Sequence, residues 1–316
     1  MAALLSLNRR DFIRTTSSAA ALLALGINPF DLSAKGRVIK ITILSTNDVH
    51  SRIEPFPMDG SRNQGMGGAS RRAAMIKKIR EQEKNVLLLD AGDIFQGTPY
   101  FNFFEGELEF KLMSEMGYDA ATIGNHDFDN GLEGFFKELP NANFAILNAN
   151  YDLSNTILKD KVQPYKIFKK EGVKVGVFGI GIELDGLVPK KLYGETVYQD
   201  PLEKANKTAA LLKNELDCDL VICLSHLGYK YPDRKISDEV LAQNTKNIDL
   251  ILGGHTHTFL NEPVKFSNLD GLEVNVSQVG WAGINLGRID YYFEPEKKKK
   301  TANGSALLVD NSFAKS

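Results

Sequence analysis

The chain contains five histidines, and each stands in a short segment with the residue company of a metal ligand. His50 closes TNDVH, His126 sits in GNHDFDNG, His226 in LSHLGY, and His255 and His257 in GGHTH. Imidazole is the commonest side-chain metal ligand, and Asp or Asn beside it supplies the oxygen donors of a hydrolytic centre. Asp48 lies two residues before His50, so in extended chain both would project to one side. Asp93 in LLLDAGD adds a carboxylate able to bridge two ions, with Gly92 letting backbone approach closely. Asn125 offers a carbonyl oxygen. Two carboxylates, one amide and four imidazoles, with one carboxylate shared, fill about four protein positions on each of two metals. That leaves room for water and substrate, and it leaves His126 outside the set. A single GD or HxH carries little information. All five segments together point to a metal-dependent hydrolase.

Something must bring these segments to one place. Each follows an apolar run that reads as a strand: 38–44, 86–89, 119–123, 219–224 and 248–252. Further strands are expected at 144–147, 165–169, 173–180, 274–279, 286–293 and 306–309. Helical spacing marks 68–83, 101–116 and 131–139, and Asp200-Pro201 starts a helix running to 216, with Asp as cap and Pro at the first helical position. The alternation predicts an α/β fold with helices covering β-sheet and an antiparallel section at the end. Functional sites of such folds lie at the carboxyl ends of strands, where all the histidine segments would converge.

A length of 316 residues, 43% of them apolar, allows one large domain or two small ones. A net charge of −2 gives no basic surface, which argues against nucleic acid as a partner. Cys218 and Cys223 bracket the strand CDLVIC; five extended steps separate them by roughly 16 Å, too far for a disulfide, so both are expected reduced and buried. Lys297 to Lys300 reads as an exposed hairpin turn. At the N-terminus, Asn8-Arg9-Arg10-Asp11-Phe12-Ile13-Arg14 resembles a twin-arginine export motif, followed by an apolar stretch too short and too polar for a stable membrane span. Residues 1–34 are accordingly expected to be a signal segment cleaved after Ala34, or retained as an anchor, on a periplasmic or extracellular protein.

The series DxH, GD, GNHD, SH and GHTH resembles the calcineurin-like metallophosphoesterases, and NDVHSRIEP, GDIFQGTP and GNHDFDNG resemble the longer signatures of the 5′-nucleotidase group. The resemblance covers about 38–293. It implies a four-layer αββα sandwich with two metals at one edge, forming a single catalytic domain at 38–293 with a terminal hairpin and tail at 294–316. Carried over by motif, Asp48, His50, Asp93 and His257 would hold one ion, and Asp93, Asn125, His226 and His255 the other. Zn, Mn, Fe or Co would suit such mixed N and O donors. His126 would face the substrate phosphate, partnered by Asp129, as the catalytic pair; Asp127 takes a capping or supporting role. The implied reaction is hydrolysis of nucleoside 5′-monophosphates.

Members of the 5′-nucleotidase group continue into a second domain that stacks the nucleobase. This sequence reads as the catalytic domain with no C-terminal nucleotide-binding domain. Base recognition is then expected from a separate nucleotide-binding protein, or the enzyme acts as a broader phosphomonoesterase. A nucleotide-sugar or cyclic-nucleotide phosphodiesterase, a sulfate-ester-type hydrolase and a non-catalytic metal-binding subunit are the alternatives. Other residues are read more plainly. Arg71 and Arg72 are expected as salt-bridged surface arginines, and Tyr100, Phe101, Phe103 and Phe104 as core packing. Trp281 is likewise placed in the core.

Overall fold

Alternation within single strands dictates the architecture. In the computed structural model, which describes residues 38–294 and 299–313, Ile39, Ile41 and Ile43 of β1 (Ile39–Thr46) point into one apolar layer while Leu44 points into another. In β2 (Val86–Asp90), Leu87 and Leu89 join the first layer, and Val86 and Leu88 the second. A strand apolar on both faces has to be covered on both. The same division recurs in β9 (Leu220–Ser225), where Leu220, Ile222 and Leu224 face the shared layer and Val221 and Cys223 face away from it.

Two six-stranded sheets result. The first also contains β3 (Ala120–Thr122), β4 (Ala145–Leu147), β13 (Asn285–Glu294) and β14 (Lys299–Leu308), in the order β14-β13-β1-β2-β3-β4. The second has the order β11-β12-β10-β9-β7-β6 and takes in β6 (Tyr165–Lys170), β7 (Val173–Ile180), β10 (Leu250–Gly253), β11 (Val264–Ser267) and β12 (Glu273–Ser277). The layer shared by Ile41, Leu87, Val175, Ile222 and Leu250 is the sandwich interior. Outside the first sheet lie helices α1 (Ala69–Gln82), α3 (Glu107–Met116) and α4 (Gly131–Glu138); outside the second lie α6 (Pro201–Ala210) and α7 (Asp238–Asn244). The expected four αββα layers are present. Parallel pairing of β1, β2, β3 and β4, and of β7, β9, β10 and β12, sends their carboxyl ends to one edge.

Most predicted elements are present, and the Asp200 carboxylate caps α6 by accepting from the Glu203 amide at 2.8 Å. The helix expected over 101–116 is two: α2 (Pro99–Phe104) and α3, separated by Glu105 (φ 54°) and Gly106 (φ 108°). A side chain at Gly106 would strike the buried Phe95 ring at 2.5 Å, so the break is where backbone meets core. The short elements α5 (Lys190–Tyr193), β5 (Tyr151–Asp152), β8 (Val197–Tyr198), α7 and β11 were not anticipated. Cys218 and Cys223 are buried and free, as expected. Lys300 departs from the solvated-turn expectation: its ammonium lies 2.6 Å from Asp249 Oδ1 and donates to the Asp219 carbonyl at 2.8 Å. Lys297, Lys298 and the signal-like segment 1–34 lie outside the described residues. No helix among the described residues is long and apolar enough to cross a membrane.

Candidate metal centre

Five strand ends deliver the site. Asp48 and His50 follow β1, Asp93 follows β2, Asn125 and His126 follow β3, His226 follows β9, and His255 and His257 follow β10. Two groups of donor atoms gather there, Asp48 with His50 and His257, and Asp93 with His226 and His255. Asp93 Oδ2 lies 3.1 Å from His226 Nε2 and 3.9 Å from His50 Nε2, so this carboxylate stands between the groups. His257 Nε2 is 3.5 Å from Asp48 Oδ1 and 2.9 Å from His50 Nε2. Asn125 Oδ1 meets His255 Nδ1 at 2.9 Å. All seven residues expected as ligands are thus brought together.

They do not converge by the expected route. Asp48 and His50 are not in extended chain; both have positive φ, 49° and 48°, as do Asp93 (57°), His255 (72°) and His257 (51°). Left-handed backbone at non-glycine residues costs of order 1 kcal/mol each and persists only where its surroundings impose it. Here the loops are tied to one another. Asp48 N–H donates to the Gly92 carbonyl at 2.9 Å and His50 N–H to the Asp93 carbonyl at 3.1 Å. The buried Asp127 carboxylate accepts from the amides of Gly124 (2.8 Å), Asp93 (3.1 Å), Ile94 (2.8 Å) and Phe95 (3.1 Å), clamping the loops after β2 and β3 together. Asn47, which carried no sequence signal, bridges Asp48 Oδ2 and the Gly280 carbonyl, each at 2.6 Å.

The donor set fits two divalent ions. His226 is fully buried, its Nδ1 sits 2.7 Å from the Ala91 carbonyl, and its Nε2 has no well-aligned hydrogen bond although it faces Asp93. An imidazole held at one nitrogen by a carbonyl and aimed at carboxylates with the other is the arrangement of a metal ligand. The charges of these groups act on one another. Burial disfavours a charged His226, but Asp93 and Asp48 outweigh it and raise the imidazole to about 10. Burial, with the charge of His226, lowers His255 to about 4. Asp93, despite burial, is held below the usual carboxylate range by His226, His50 and His126.

His126 stands at the rim, its ring centroid 5.4 Å from that of His50. Its Nδ1 is 3.0 Å from Asp129 Oδ2, the partner that the motif resemblance implied. Burial opposes protonation there, yet Asp129 and Asp93 lift the imidazole above its ordinary value. Trp281 corrects the core assignment. Together with Gln96, Gly97, His50, His126, His255 and His257 it lines a cleft of about 250 Å³, and it stacks on His257. Two other assignments also change. Arg72 is buried rather than a surface residue, and Arg71 donates to the Gly65 carbonyl at 2.5 Å instead of to a carboxylate; neither lines the cleft. Phe103 is 81% exposed and Phe104 is exposed too, because α2 buries none of its residues, although Phe101 packs against Phe95.

Residues 41–259 match the family model of the calcineurin-like phosphoesterases. The chain belongs to that family. A snake venom 5′-nucleotidase of Gloydius brevicauda is 35% identical over 324 residues, covering 95% of this chain and 54% of that protein. The solved 5′-nucleotidase precursor of Thermus thermophilus superposes with a TM-score of 0.77 at 31% identity, over 87% of this chain and 55% of that one. A solved calcineurin-like phosphoesterase of Bacillus subtilis gives a TM-score of 0.70 at 27% identity, over 88% of this chain and 95% of that one. The chain spans about half the length of the curated relatives it matches.

Proposed function

We propose that this phosphoesterase is a dinuclear metal hydrolase that releases phosphate from nucleoside 5′-monophosphates. The observation that carries the reading is Asp93, a buried carboxylate that belongs to the donor group with His226 and His255 and also faces His50 of the other group. Asp48, His50, Asp93 and His257 would hold one ion, and Asp93, Asn125, His226 and His255 the other. Two such ions supply Lewis acidity toward phosphate oxygens and a water of lowered pKa. The protein's own residues do the rest. Asp127 and Asn47 fix the ligand loops, and His126, kept protonated by Asp129, neutralises charge on the phosphoryl group or gives its proton to the departing oxygen. The cleft of about 250 Å³ suits a phosphoryl group, with the nucleoside extending beyond it.

The nucleotide part of the proposal draws on the relatives, which bear the name 5′-nucleotidase. Export through the twin-arginine-like Asn8 to Arg14 segment is part of the same proposal. The test is phosphate release by metal-reconstituted protein from AMP, UMP, a cyclic nucleotide, UDP-glucose and p-nitrophenyl phosphate. Preference for the monophosphates is expected. Equal turnover of every monoester would remove the nucleotide claim, and no turnover with two ions bound would remove catalysis.

A further inference from the structure

Trp281 is the single tryptophan of the chain, and its indole lies face to face with the His257 imidazole, centroids 5.6 Å apart and planes 6° from parallel. The other imidazoles aimed at the carboxylates through Nε2 are oriented differently. His50 sets Nδ1 against the Phe95 carbonyl at 3.2 Å, and His226 against the Ala91 carbonyl at 2.7 Å. Such contacts hold a ligand imidazole in one ring orientation. Among the described residues His257 Nδ1 has no hydrogen-bond partner, and its side chain is 40% exposed against 8% for His50 and 0% for His226. Neither burial nor a carbonyl fixes this ring.

We infer that Trp281 is a positioning residue of the metal centre, its indole face doing for His257 what a backbone carbonyl does for His50 and His226. The inference rests on the dinuclear reading above. Trp281 is itself held well enough for the task. Phe56 meets it edge-on at 5.7 Å, and the Arg52 guanidinium covers Phe56 at 4.1 Å. Its loop is strapped to the loop bearing Asp48 and His50, since Ala282 N–H donates to the Asp48 carbonyl at 2.7 Å and Val279 N–H to Asn47 Oδ1 at 3.0 Å. All three donors of one group are therefore registered against one another, Asp48 and His50 through backbone and His257 through stacked rings. With one face on His257 and Phe56 against it, the indole serves the ligand more readily than a substrate.

Three measurements test this. In metal-free protein, His257→Ala should shift the tryptophan emission, which can come only from Trp281. In equilibrium dialysis against Mn²⁺, Trp281→Leu, which keeps apolar bulk without an aromatic face, should weaken one of two ions about tenfold and spare the other. Trp281→Phe should stay within about threefold of wild type, because an aromatic face remains. Unchanged emission in His257→Ala, or unchanged binding of both ions in Trp281→Leu, would overturn the inference and leave the dinuclear reading standing. A raised KM in Trp281→Leu with both ions retained would overturn it in favour of substrate stacking. Failure of the wild-type protein to take up two ions would overturn the dinuclear reading and this inference together.

Discussion

His126 and the candidate ligands occupy adjacent positions yet face different tasks. The Asn125 side chain turns to His255, while His126, one residue on, turns to Asp129 at the rim. Replacing His126 by Ala should lower turnover by about 10²–10⁴, the range for loss of a general acid, with both ions still bound. Phosphate release and metal analysis on the same preparation would decide it, and loss of an ion would make His126 a ligand. Asp238 presents a different residue-scale problem. It is fully buried beside Ser225, and burial raises its carboxyl to about 8, with Asp48 adding to the shift and the Ser225 hydroxyl and His226 opposing it. An unfolded aspartate titrates near 3.9, so the folded state binds this proton more tightly. The stability it contributes is present below about pH 4 and is lost as pH rises toward 8. In metal-free protein, Asp238→Asn should therefore gain in melting temperature over wild type progressively between pH 5 and pH 8.5. A constant difference across that range would show that the buried carboxyl is already ionised.

At the scale of elements, the site is a set of loops rather than a set of strands. Each parallel strand stops at the sheet edge, and the candidate ligands sit one to four residues beyond it, five of the seven (Asp48, His50, Asp93, His255 and His257) with left-handed backbone. Loops so strained need anchors, and Asp127 is the principal one, collecting four amides from two loops. Asp127→Ala would leave those buried amides without their acceptor. The expected loss is on the order of 3 kcal/mol, read from the urea midpoint. A loss below about 1 kcal/mol would mean that other groups or water take over the four donors. The motif GNHDFDNG thus divides its labour along one 3-10 turn, His126–Phe128, and its flanks: Asn125 toward His255, His126 and Asp129 toward the rim, Asp127 toward the scaffold.

At the scale of the whole molecule, the two sheets must meet closely enough for loops from both to share one centre, since Asp48, His50 and Asp93 come from the first sheet and His226, His255 and His257 from the second. Gly179 in β7 sets that approach. A Cβ there would lie 2.0 Å from the Leu147 carbonyl oxygen of β4 and 2.4 Å from Thr122 Oγ1 of β3, and its own carbonyl accepts from the Ala149 amide at 2.8 Å. Gly179→Ala should cost about 3 kcal/mol, the top of the range for overpacking, because backbone rather than a flexible side chain stands in the way. Ordinary thermal stability in that variant would show that the sheets can separate locally. The sequence by itself determined the strand-ending motifs, the α/β alternation and the set of seven candidate donors, because apolar alternation and residue chemistry are local properties; the αββα layering was implied by the motif resemblance. It misplaced Trp281, Arg72, Phe103 and Lys300, and it gave the wrong backbone for Asp48 and His50. Those were decided by tertiary structure alone: whether a ring, a guanidinium or an ammonium is covered depends on which distant loop folds over it, and a left-handed turn persists only where such a loop ties it down.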